Sequence, residues 1–128
     1  MGIGEDLYTY HGTRFNKLSE GVSLKAAEVR HVDNMQCFGY IISVKNDSIF
    51  YSGDAAEIPE EVLELFLKDK INRIYADTAS GTSTAHGCLE RHRKAVPLEK
   101  RHMVYCMHMD YDFSEQIIKD GFQIVRPD

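Results

Sequence analysis

Apolar and polar positions along this chain change period several times, and each change marks an element. Val22-Ser23-Leu24-Lys25-Ala26-Ala27-Glu28-Val29 alternates loosely, the period of a strand with one covered face, and the run ends near His31. Phe38 to Val44 and Ser48 to Tyr51 are rich in β-branched and aromatic residues, and Lys45-Asn46-Asp47 between them has turn chemistry. Together they predict a hairpin. Pro59 then opens a different regime, in which Val62, Leu63, Leu65 and Phe66 recur at helical spacing. Glu57, Glu60 and Glu61 at its start and Lys68 and Lys70 at its end complement the helix dipole.

Ile71 to Tyr75 predicts a short buried strand, and the Ser-, Thr- and Gly-rich stretch from Asp77 to Thr84 a loop. Ala85 to Lys94 reads as a helix that stops before Pro97, and Met103 to Met107 as a second buried strand ending at His108. Ser114 is placed to cap a short helix through Lys119, with Gly121 closing it and Phe122 to Val125 forming a last strand. Residues 1–21, where Gly2, Gly4, Gly12 and Gly21 lie among polar groups, read as a weakly structured lead-in. With no repeat, low-complexity tract or linker, residues 1–128 form one domain of α/β class with a mixed sheet.

Composition narrows the function classes. A 43% hydrophobic and 27% charged chain of 128 residues has enough apolar material for a core and too much for disorder. The N-terminus lacks both the basic and the apolar regions of a signal peptide, Asp6 stands where myristoylation needs Ser or Thr, and no apolar run approaches a membrane span. Cys37, Cys88 and Cys106 are odd in number and have no paired short spacing, which fits reduced thiols and a cytoplasmic location. They read as small fillers, since none carries the signature of an activated thiolate. The formal charge of −5 gives no broad field for nucleic acid. Arg91-His92-Arg93-Lys94 and Lys100-Arg101-His102 are expected to be a solvated helix end and loop.

Three residues carry candidate chemistry. His31, Asp54 and His108 each follow an apolar strand, and loops at one sheet edge are where functional groups converge. Imidazole and carboxylate together suit zinc, manganese or iron. Taken singly, each has a plainer reading: a surface histidine, a turn or cap aspartate, and a partly buried, hydrogen-bonded histidine. His11, His92 and His102 match no pattern and are expected to face solvent.

Taken in order, Val29-Arg30-His31, Phe38-Gly39-Tyr40-Ile41-Ile42, Phe50-Tyr51-Ser52-Gly53-Asp54, His86-Gly87-Cys88-Leu89-Glu90 and Val104-Tyr105-Cys106-Met107-His108 resemble the C-terminal half of a metallo-β-lactamase-fold hydrolase. The pattern is nearest the ribonuclease Z-like phosphodiesterase branch and spans roughly residues 22–126. The resemblance implies half of an αββα sandwich, a mixed β-sheet with helices on one face. It implies that His31 and His108 are terminal ligands of a divalent metal pair and that Asp54 bridges them. The chemistry it implies is hydrolysis of a phosphodiester or related ester by metal-activated water. His86 matches the first residue of the family's His-Ser-Thr element, which assists proton transfer, and Asp77 is its candidate carboxylate partner. Gly87-Cys88 replaces Ser-Thr, and Ala76-Asp77 stands where that branch commonly has His-Glu.

The family's His-x-His-x-Asp-His segment, which supplies further ligands, has no counterpart in the 128 residues. The half is therefore expected to be inactive alone and need not hold metal in isolation, because catalytic zinc usually has three protein ligands. An uncovered sheet face drives association, so a homodimer or a complementing N-terminal half is the expected partner. The chain is expected to be either a fragment of a longer hydrolase or a stand-alone half of this kind, and a non-catalytic, self-associating half-domain or binding module without metal is the alternative. An unrelated small α/β binding protein with incidental histidines is the third reading.

Overall fold

The computed structural model describes residues 14–19, 21–31, 36–79, 86–107 and 113–125. They form a seven-stranded sheet whose spatial order follows the chain: β1 (Arg14–Ser19), β2 (Val22–Val29), β3 (Cys37–Val44), β4 (Asp47–Tyr51), β5 (Arg73–Asp77), β6 (Val104–Met107) and β7 (Gln123–Ile124). The first three pairings are antiparallel and the last three parallel, so the sheet is mixed as expected. Each parallel step carries a helix: α1 (Glu60–Leu67), α2 (Leu89–Ala95) and α3 (Ser114–Lys119).

Three crossovers that advance in the same direction with the same hand must place their helices on the same face. The buried side chains agree. Ile41, Phe50, Ile74 and Val104 are register partners across four strands and share one core with Val62 and Phe66 of α1, Leu89 of α2 and Ile117 of α3. The other face presents Tyr40, Tyr51, Tyr75 and Tyr105 in the adjoining register, none of them buried. Among the described residues no helix is long and apolar enough to cross a membrane.

Several local expectations are corrected. Arg14–Ser19, expected to be weakly structured, is a strand paired with β2. A register shift between Lys17 and Ser19 breaks the alternation that would have revealed it. Pro59 sits before the first turn of α1, and Lys68 and Lys70 lie beyond its last turn, where Asp69 takes a left-handed conformation. The helix expected from Ala85 begins only at Leu89. Ser114 is the first residue of α3 and not its cap, a position that Phe113 takes.

The basic stretch expected to be solvated is partly structural. Leu98–Met103 is a 3-10 turn, and the Arg101 guanidinium donates to the carbonyl oxygens of Val96, Asp120 and Arg93, each at 3.1 Å. Arg101 also lies 5.3 Å over the Phe122 ring, and Lys100 lies 5.2 Å over that of Phe66. Their stems cover apolar surface while their heads satisfy chain ends.

Candidate active site

The sheet directions bring the site together. β4 and β5 run parallel, and β2 runs with them because it is two antiparallel steps from β4. The ends of β2, β4 and β5 therefore lie at one edge, the edge where functional loops gather in parallel α/β layers. His31 leaves β2, Asp54 follows β4, Asp77 ends β5 and His86 follows it.

Each loop is fixed by specific contacts. The turn after β4 needs a left-handed residue, and Gly53 supplies it with φ 62°. Ser52 is buried and its Oγ accepts the backbone N–H of Asp77 at 2.9 Å, which ties the ends of β4 and β5. The Ala55 N–H donates to Asp77 Oδ2 at 3.0 Å, and the Ala56 N–H to the carbonyl of Arg30 at 2.6 Å, beside His31. A Cβ at Gly87 would overlap the Asp77 carbonyl oxygen, so only glycine allows the His86 segment to lie this close to β5.

Within this frame His86 Nδ1 and Asp77 Oδ2 are 2.7 Å apart, with the carboxylate buried and the imidazole partly exposed. A buried carboxylate on Nδ1 holds the ring and keeps a proton on that nitrogen, which leaves Nε2 to exchange protons or donate its lone pair. Ligand-type atoms of Asp54, Asp77 and His86 all lie within 4.8 Å of one another. The ring of His31 meets that of His86 edge-on at 4.8 Å between centroids. The two residues expected as ligands and the two expected in proton transfer thus form one cluster of a donor type that suits divalent cations. His108, the third expected ligand, directly follows β6 and lies outside the described residues, as does His11.

His92, expected to face solvent, is instead one of the most deeply buried side chains, 2% exposed. Thr78 donates its hydroxyl to the Ala76 carbonyl, so toward His92 Nε2, 3.1 Å away, it can only accept; the Asp77 carbonyl, also at 3.1 Å, can only accept as well. The proton of His92 therefore sits on Nε2 and is shared between both. Burial lowers its pKa to about 4, so the ring is neutral at pH 7. The clue in the sequence was its place three residues after Leu89 and four before Val96, on the apolar stripe of α2. Arg91, which had no such signal, donates from one nitrogen to the carbonyls of Ala56 at 2.8 Å and His86 at 2.9 Å.

Cys88 and Cys106 are buried fillers, as expected. Burial raises the Cys106 thiol to about 11, opposed in part by its contact with the Thr78 hydroxyl. It is a thiol at neutral pH, not a nucleophile.

Comparison with known proteins places this cluster in context. The family model described as Anti-Pycsar protein Apyc1 matches residues 6–126. The metallo-β-lactamase-fold protein YhfI from Bacillus subtilis superposes with a TM-score of 0.64 at 8% identity, over 97% of this chain and 56% of that one. A diphosphatase of the PhnP family gives 0.65 at 19% identity, over 91% and 44%. The short form of human tRNase Z gives 0.61 at 12% identity, over 91% and 43%. These likenesses establish the metallo-β-lactamase fold, and the chain spans about half the length of those relatives. No curated protein sequence matches it.

Proposed function

Because the chain belongs to the Anti-Pycsar protein Apyc1 family, whose model spans residues 6–126, we propose that it is the C-terminal half of a metal-dependent phosphodiester hydrolase. The observation that carries this reading is the 2.7 Å pair of His86 and Asp77 set against Asp54 and His31 at one sheet edge. A buried carboxylate that orients a half-exposed imidazole is a general acid–base device, and a carboxylate and a second imidazole beside it are metal ligands by type.

His31, Asp54 and His108 would hold the cation, zinc by ligand type with manganese or iron able to replace it. The bound cation supplies Lewis acidity and a water of lowered pKa. His86 presents Nε2 toward the reacting group and hands a proton to the departing oxygen. Asp77 keeps the ring turned and its Nδ1 protonated through that transfer. The Ala55 N–H on Asp77 Oδ2 holds the carboxylate in place beneath the ring.

The names of two structural neighbours, a diphosphatase and a tRNase, denote cleavage at phosphorus and support a phosphoester substrate. The family description adds opposition to Pycsar as the setting of that activity. Since the neighbours are about twice as long, the remaining ligands would come from an N-terminal half, whether on a longer form of this chain or on a partner, or from a second copy.

The test is metal uptake and hydrolysis of bis(p-nitrophenyl) phosphate after incubation with zinc or manganese, by the chain alone and mixed with an N-terminal half that carries the His-x-His-x-Asp-His segment. We expect about one metal per chain, lost in Asp54→Ala. His86→Ala should lower turnover by about 100-fold or more with metal retained. A chain that takes up neither metal and cleaves no phosphodiester even with that half present would instead be the non-catalytic, self-associating module.

A further inference from the structure

Two loops that reach the site from different strands must keep a fixed mutual position, and a single side chain outside the cluster joins them. The segment carrying Asp54 runs from Ser52 to Ile58, and the segment carrying His86 enters α2. Arg91 Nη1 donates both of its protons across the gap, to Ala56 two residues past Asp54 and to the carbonyl of His86 itself. Ala56 is also held by the Arg30 carbonyl, next to His31. The guanidinium therefore fastens Ala56, a second tie between the His31, Asp54 and His86 segments beside the Asp77 carboxylate.

We propose that Arg91 is a positioning residue that sets the distance between the Asp54 loop and His86 and so preorganises the site for a divalent cation. What the site binds rests on the function proposed above; the fastening itself rests on the two hydrogen bonds. Arg91 is suited to this because Nη1 meets two backbone carbonyls, which accept but cannot be altered by substitution, and because it sits on a helix anchored by buried Leu89 and His92. A planar nitrogen with two protons meets two carbonyls at once, while the shorter, rounder head of lysine would reach one of them well. Loss of an outer partner of a metal site costs about 10- to 100-fold in metal affinity.

The experiment compares wild type, Arg91→Met and Arg91→Lys in two readouts: zinc affinity by competition with a chromophoric chelator, and amide hydrogen exchange. Arg91→Met should weaken zinc binding by about 10-fold or more. It should speed exchange in residues 54–57 and 86–88 while β3 to β6 stay protected, and Arg91→Lys should recover part of both. A uniform rise in exchange across the sheet would mean a general stability defect and overturn the proposal. Unchanged zinc affinity in Arg91→Met, with Asp54→Ala losing it, would also overturn it and leave the metal site standing. If wild type takes up no zinc by itself, exchange alone decides the fastening: local acceleration supports it and no change overturns it.

Discussion

The two faces of the sheet are made by alternate residues of the same strands, and they differ in what completes them. Phe50 is fully buried while Tyr51, the next residue on β4, is 39% exposed. On one face three crossover helices seal Phe50, Ile74, Val104 and Cys106. On the other, Tyr40, Tyr51, Tyr75 and Tyr105 line up across β3 to β6, and among the described residues no helix lies over them. The first face is a finished core within one chain. The second has apolar rings with polar tips, a surface that tolerates water and gains from being covered. A half-length relative of metallo-β-lactamase-fold proteins should look like this.

The sharpest way to break the comparison is to truncate neighbours on opposite faces. Phe50→Ala removes a fully buried ring that also packs on Gly39, where even a Cβ would come within 2.6 Å of it. It should cost about 3–5 kcal/mol, a large part of the stability of a small domain. Tyr51→Ala, one residue away, should cost less than about 1 kcal/mol in the same urea titration. Equal losses would mean that the tyrosine face is sealed in solution as well.

His92 sharpens the contrast by titration, because it lies wholly on the sealed side, edge-on to Phe122 with 6.3 Å between ring centres. Folded, its imidazole takes a proton only near pH 4; unfolded, near the ordinary 6.5. Between those values the unfolded chain binds more protons. The stability held above pH 6.5 is therefore lost as pH falls toward 4, by up to about 3 kcal/mol. His92→Gln keeps a donor near the position of Nε2 and removes the titration. Its urea midpoint should fall less steeply than that of wild type between pH 6.5 and 4. Identical slopes would mean that the ring is open to water.

What the sequence disclosed and what it hid follow the same division between local and distant causes. The β3–β4 hairpin was legible because its alternation and turn chemistry are local. His31 and Asp54 stood out because each follows an apolar strand, whereas Asp77 and His86 entered only through the family resemblance. β1 was hidden by its register shift, and the 3-10 turn at Leu98–Met103 by the absence of any apolar period. Arg101 and Arg91 looked like surface charge because they bond to backbone carbonyls, and such bonds leave no trace in side-chain spacing. His92 was legible in principle, three residues from Leu89, but a histidine inside a run of basic residues reads as polar until its helix is placed.

The smallest expected effect bears most directly on the open face. Tyr75 and Tyr105 stack with 5.1 Å between centroids and 23° between planes. In a chain whose tyrosine face meets only water, Tyr105→Ala should cost about 1 kcal/mol, and a double-mutant cycle with Tyr75→Ala should return a coupling of about 0.5–1 kcal/mol. Covering the face changes that arithmetic, because each ring then buries its remaining surface and its hydroxyl needs a partner. Light scattering beside the cycle decides which regime holds. A monomer with weak coupling leaves this face free for a complementing half. A dimer that dissociates in Tyr51→Glu, a variant that should hardly disturb an open face, would make the second copy the cover.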